Sequence, residues 1–152
     1  MSTAPVLKTP ERARRNALTC ALGSLVTAPL ALGIGVLTAV YGTEPDLRLA
    51  AWAAGLTGVL LVTSVCGFAV VAGRAPVATS FVLVCLTPLL ALGGLVYGVA
   101  RAAGGAGSLL LSVTTPVIIG LCVAQVTVLV HQAARTMALS PAAGSGGARP
   151  PR

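Results

Sequence analysis

Four cysteines, one histidine and three carboxylates are the side chains of this 152-residue chain that offer metal-binding, nucleophilic or acid–base chemistry. Cys20, Cys66, Cys85 and Cys122 are far apart in sequence, with no CxxC pair among them. Thiolates brought to one level could hold a soft ion such as Cu(I) or Zn(II). The competing role is that of a small apolar filler, since cysteine is readily buried. His131 is the only histidine. An isolated imidazole near a helix C-terminus suits the helix dipole and needs no catalytic role. Glu44 and Asp46 sit two apart in YGTEPDL. Two carboxylates are too few ligands for a hard cation. They suit a helix N-terminus, where each contributes roughly 0.3–1 kcal/mol. Thr43 would cap that helix with Asp46 three residues on, and Pro45 would fall in its first turn. No catalytic residue, metal ligand or cofactor is assigned, and no enzymatic activity is expected.

The elements that must hold these residues follow from composition. Only 9% of the residues are charged, 56% are hydrophobic, and the mean hydropathy is +0.96. A soluble domain carries roughly 25% charged residues. With so few charges the chain needs lipid as its solvent. Uncharged runs cover 16–43, 49–73, 75–100 and 102–130. A hydrocarbon core about 30 Å thick needs ~20 apolar residues in a helix, so each run crosses once and none crosses twice. Trimmed of turn-like ends, the helices fall near 17–41, 47–72, 76–99 and 108–130. The alternating polarity of an outer-membrane barrel is absent. The fold expected is therefore all-α, a four-helix transmembrane bundle over 16–131. A basic segment, 1–15, precedes it, and a tail, 132–152, follows. The end of that tail, SPAAGSGGARPPR, lacks apolar side chains and is expected to be disordered.

Charge sets the orientation. Lys8, Arg12, Arg14, Arg15, Arg74, Arg135, Arg149 and Arg152 fall on one side of these spans; Arg48 and Arg101 fall on the other. Cytoplasmic loops collect Lys and Arg, so both termini are expected inside. Tyr41 and Trp52 flank the outer loop, as interfacial aromatic anchors would. The first span is too long for a signal-peptide core and no small-x-small cleavage site follows it, so it is expected to remain as an anchor. Arg outnumbers Lys nine to one. That bias suggests a GC-rich bacterial genome and places the chain in a bacterial inner membrane.

Within the spans no Asp, Glu, Lys, Arg or His lies deep. Intramembrane ionisable residues are the usual mark of ion and proton pathways. Their absence argues against proton-coupled transport through a buried carboxylate. All four cysteines fall in the inner half, about 4 to 9 residues from the inner ends and hence roughly 6–14 Å deep. Pro29, Pro88 and Pro116 interrupt three spans, and each removes a helix hydrogen bond. Thr87 and Thr115 precede two of them and are placed to re-satisfy freed carbonyls. SVTTP, 112–116, is the most polar stretch in any span. With Gln125 it would either line a small wet cavity or form interhelical hydrogen bonds. Gly94 and Gly98 form a GxxxG, and Ala54/Gly58, Ala69/Gly73 and Gly120/Ala124 extend the small-x-x-x-small theme of close helix packing. Tyr41 to Cys66 and Tyr97 to Cys122 both span 25 residues, and PLALGIG resembles PLLALGG. The two halves could thus be a duplicated hairpin.

The function expected is non-enzymatic: an accessory or regulatory subunit of a membrane assembly, or a self-associating bundle. The alternative is a transporter or pore subunit passing a small solute along Thr114, Thr115 and Gln125. The partners expected are the lipid bilayer and either a second copy or another membrane protein. No nucleic acid is expected.

Overall fold

The computed structural model describes residues 10–41, 47–105 and 109–139. These form four helices, α1 (Pro10–Tyr41), α2 (Leu47–Val71), α3 (Val77–Ala103) and α4 (Leu109–Leu139). Among the described residues there is no strand. All four helices are long and apolar enough to cross a membrane. Glu44, Asp46 and the proposed Thr43 cap lie outside the described residues, as do Lys8 and the tail from Ser140.

Three helices outrun the expected bounds. α1 begins at Pro10 rather than 17, α3 ends at Ala103 rather than 99, and α4 ends at Leu139 rather than 130. The expected bounds stopped where charge begins. Charge ends an apolar run, but Arg, Glu, Gln and Ala are all good helix formers. Pro10 is tolerated in a first turn, where Glu11 complements the helix dipole. Arg101 closes the last turn of α3, also favourably. α4 continues through QAARTMAL because Ala133 and Ala134 are buried there, with Ala13, Ala17 and Val70, in a second apolar cluster. The tail therefore starts at Ser140, not 132.

The link between α2 and α3 is tight. Arg74 N–H donates to Ala69 O at 2.8 Å and Gly73 N–H to Val70 O at 3.0 Å. With Gly73 at φ +80, this is a Schellman stop, which needs a residue free to adopt the left-handed conformation. Pro76 is the residue before α3, and its carbonyl accepts from Ser80 N–H at 3.0 Å.

Two hairpins make the bundle: α1 packs chiefly on α2, and α3 on α4. The α1–α2 seam is a ladder of small residues. Gly35 lies against Ala53. Thr57 Oγ1 donates to Ala53 O at 2.8 Å and lies 3.4 Å from Ala28 O. Ser64 Oγ donates to Ala21 O at 2.9 Å. A Cβ on Gly67 would come within 2.8 Å of Ala21 Cβ and 2.9 Å of Ala17 O. On α1 these positions run 17, 21, 24, 28, 31 and 35, all Ala, Ser or Gly, and none fully exposed. That 4,3 alternation is a heptad seam, the spacing of left-handed helix packing. α3 and α4 carry the same spacing at 80, 83, 87, 94 and at 116, 120, 123, 127, 130, 134, all buried. Gly120 lies against Ala91 across that pair.

The small-residue ridges expected from the sequence sort differently. Gly94 and Gly98 are buried, and Gly120 is buried beside half-buried Ala124. Ala54 and Gly58 are exposed, with nothing within 4 Å of a Cβ at Gly58. Gly73 serves the Schellman stop. Nor do the hairpins share a register. Gly35 meets Ala53, and the matching pair in a duplication would be Ala91 with Leu109. Ala91 instead meets Gly120, eleven residues on, or about 16 Å along a helix. The cause is the loop position: Tyr41 ends α1, whereas α3 runs on past Tyr97 to Ala103.

Candidate functional site

The chemistry-bearing residues do not converge. Cys66 is buried in the core and Cys20 packs half-buried against it, while Cys85 and Cys122 are exposed. Their helices turn the four thiols to different sides. Among the described residues no group of three His, Cys, Asp or Glu side chains could hold a metal ion.

His131 has a specific partner. Its Nδ1 lies 2.9 Å from Ser80 Oγ, which is also 3.0 Å from Val77 O. Ser80 has one hydroxyl proton. Given to Val77 O, it leaves Oγ to accept from a protonated Nδ1, and both bonds are made. Given to Nδ1, it forfeits the Val77 bond. The imidazole also faces Phe81, with ring centroids 5.9 Å apart. Ser80 is 1% exposed, so its oxygen is closed to any substrate in this fold. The contact ties the first turn of α3 to the last third of α4.

Trp52 points inward rather than standing free at an interface. Its indole Nε1–H donates to Leu90 O at 2.9 Å. The ring lies flat enough on α3 that a Cβ at Gly94 would come within 2.6–2.8 Å of it. Gly94 therefore serves as the floor for an indole, and this contact joins the two hairpins.

The proline–hydroxyl expectation is also revised. α1, α3 and α4 each remain one helix through Pro29, Pro88 and Pro116. Pro88 frees the carbonyl of Val84, but Thr87 Oγ1 donates to Leu83 O at 2.8 Å. Thr87 is fully buried in the seam. Thr115 and Gln125 are exposed, and Thr114 is half-buried. The polar face expected to line an interior cavity thus lies in part on the outer surface of α4. The side chain of Ser112 is outside the described residues.

Sequence reasoning missed the core hydroxyls. Ser24, Thr57, Thr63, Ser64, Ser80, Thr87 and Thr127 are the buried polar side chains. Most donate to a carbonyl of the preceding turn or of a neighbouring helix: Thr63 to Val59 O at 2.7 Å, Thr127 to Ala124 O at 2.9 Å, Ser64 to Ala21 O. Ser24 Oγ is buried without a partner among the described residues. The signal was present as seven-residue spacing: Thr57 to Ser64, Ser80 to Thr87 to Gly94, and Gly120 to Thr127 to Ala134.

At the end of the bundle that holds the α2–α3 link, Arg12, Arg14, Arg15, Arg74 and Arg135 are all exposed. The Arg14 guanidinium reaches the α2–α3 link, 3.8 Å from a Cβ placed on Gly73. Arg48 and Arg101 lie at the other end. No family model matches the chain, and no curated protein or solved structure is similar to it.

Proposed function

We propose that this chain is an integral membrane protein of a bacterial inner membrane, crossing the bilayer four times with both termini in the cytoplasm. Its work there is non-enzymatic: it packs against other membrane-embedded surfaces, as an accessory subunit or as a self-associating bundle. One observation carries the proposal. Many large apolar side chains stand on the outside, while the seam between α1 and α2 is lined by small and hydroxyl-bearing ones. Leu25, Val26, Leu30, Val65, Phe81, Leu89, Val96 and Ile118 are exposed, with Val65 and Val96 each 67% open, while Ala, Gly, Ser and Thr line the α1–α2 seam. In water such a surface would aggregate. In hydrocarbon there is no hydrophobic drive between helices, and close backbone approach through small residues holds them together instead.

The five arginines at one end support the orientation. The test is a reporter fused after Arg152, combined with alkaline carbonate extraction of the membranes. A cytoplasmic reporter on a chain that resists extraction is the expected result. A periplasmic reporter would overturn the orientation, and a chain released by carbonate would overturn the membrane location.

A further inference from the structure

The chain has two glutamines, Gln125 and Gln132, one heptad apart. Both are exposed on the outward side of α4. They belong to a single stripe, Ile118, Cys122, Gln125, Leu129 and Gln132, in which every residue is exposed and the spacing alternates 4 and 3. The stripe has heptad spacing, and each of its positions is exposed among the described residues. Gln125 lies within the uncharged run 102–130, five residues, or about 8 Å, from the end of that run nearer the arginines. Among the described residues nothing hydrogen-bonds its amide.

We propose that this stripe is a homodimer interface, in which α4 packs parallel to α4 of a second copy and Gln125 hydrogen-bonds the partner's Gln125. The proposal rests on the membrane location above: only in hydrocarbon does an outward amide lack water and require a protein partner. A second copy is favoured because a carboxamide carries both donors and acceptors, so it complements itself across a two-fold axis. Two copies inserted with the same orientation are related by an axis along the membrane normal. That axis sets α4 parallel to its mate and each seam residue opposite its own counterpart. Polar residues at such positions specify register in heptad packing, and Gln132 repeats the pairing two turns on.

The native cysteines provide the test. Cys122 lies on the stripe, three residues before Gln125, and is exposed; Cys85 is exposed on another helix. Full-length protein in its membrane is oxidised with copper phenanthroline and the covalent dimer is quantified on a non-reducing gel. The expected result is a dimer that survives Cys85→Ser and disappears with Cys122→Ser. Gln125→Leu should lower the dimerisation constant about tenfold, the effect of two lost interhelical amide bonds. Because Gln125 faces outward, Trp52 fluorescence of that variant should stay unchanged, which separates loss of dimer from loss of fold. A covalent dimer through Cys85 alone, no covalent dimer, or one indifferent to Gln125→Leu overturns the interface. A chain that stays in carbonate-washed membranes without cross-linking overturns the dimer alone; a chain stripped from them overturns the membrane location as well.

Discussion

Gly94 and Trp52 show how one missing side chain sets a contact between hairpins. The indole occupies the space a Cβ would take and donates to Leu90 O at 2.9 Å. Gly94→Val should force the ring off α3 and cost about 1–3 kcal/mol, as overpacking generally does. Trp52→Phe removes the hydrogen bond and part of the ring packed on Gly94, and should cost more than the roughly 0.6 kcal/mol of the bond alone. Detergent-denaturation curves measure both. Trp52 is the only tryptophan, so its emission should shift to the red in Gly94→Val. Ser64 is a second such position: Ser64→Ala loses the bond to Ala21 O and should destabilise by about 0.6 kcal/mol. Glycine enrichment in the third span is visible in the sequence. That Gly94 faces an indole is not, because the partner lies 42 positions away and is set by how α2 turns against α3.

The α1–α2 hairpin owes its register to side chains of one or two heavy atoms. Gly35 with Ala53 and Gly67 with Ala17 and Ala21 bring the backbones close at both ends. Gly67→Leu should separate the helices, since the groups it would meet include a backbone carbonyl. A loss of several kcal/mol is expected, above the roughly 1–3 kcal/mol of ordinary overpacking. Gly58→Leu is the control: nothing lies within 4 Å of its Cβ, and stability should change by less than about 1 kcal/mol, with helix propensity in its favour. Both substitutions alter a glycine of the same helix, so composition cannot separate them; seam position does.

Among the described residues the bundle is apolar on its flanks, and buried hydroxyls and small residues stand inside it beside Leu and Val side chains. α1 and α4 hold 32 and 31 residues. At 1.5 Å per residue they reach about 46–48 Å, well beyond a hydrocarbon core of roughly 30 Å. The excess lies at the arginine-bearing end, where Ala13, Ala17, Val70, Ala133 and Ala134 close a second cluster. This packed inner end should survive as a protease-resistant core to about Leu139, so limited proteolysis of inverted membranes should cut beyond that residue. Replacing Arg12, Arg14 and Arg15 with Gln should leave the bundle folded but mix its orientations, measured by labelling single cysteines from each side of the membrane.

Number and class of the helices were legible in the residues, because an apolar run of membrane length is a local property that needs no partner. So was the clustering of arginines at one end. The helix limits were legible only in part, since charge marks the end of an apolar stretch and not the end of a helix. Azimuth was not legible: Cys66 and Cys122, Gly58 and Gly67, Thr87 and Thr115 are alike in residue type, yet one of each pair is buried and the other open. In an ordinary soluble helix polarity marks the buried side. Here apolar side chains suit both lipid and core, so the buried side is selected by size and by hydroxyl bonding to a neighbouring backbone. Those preferences take effect only once the neighbouring helix is in place.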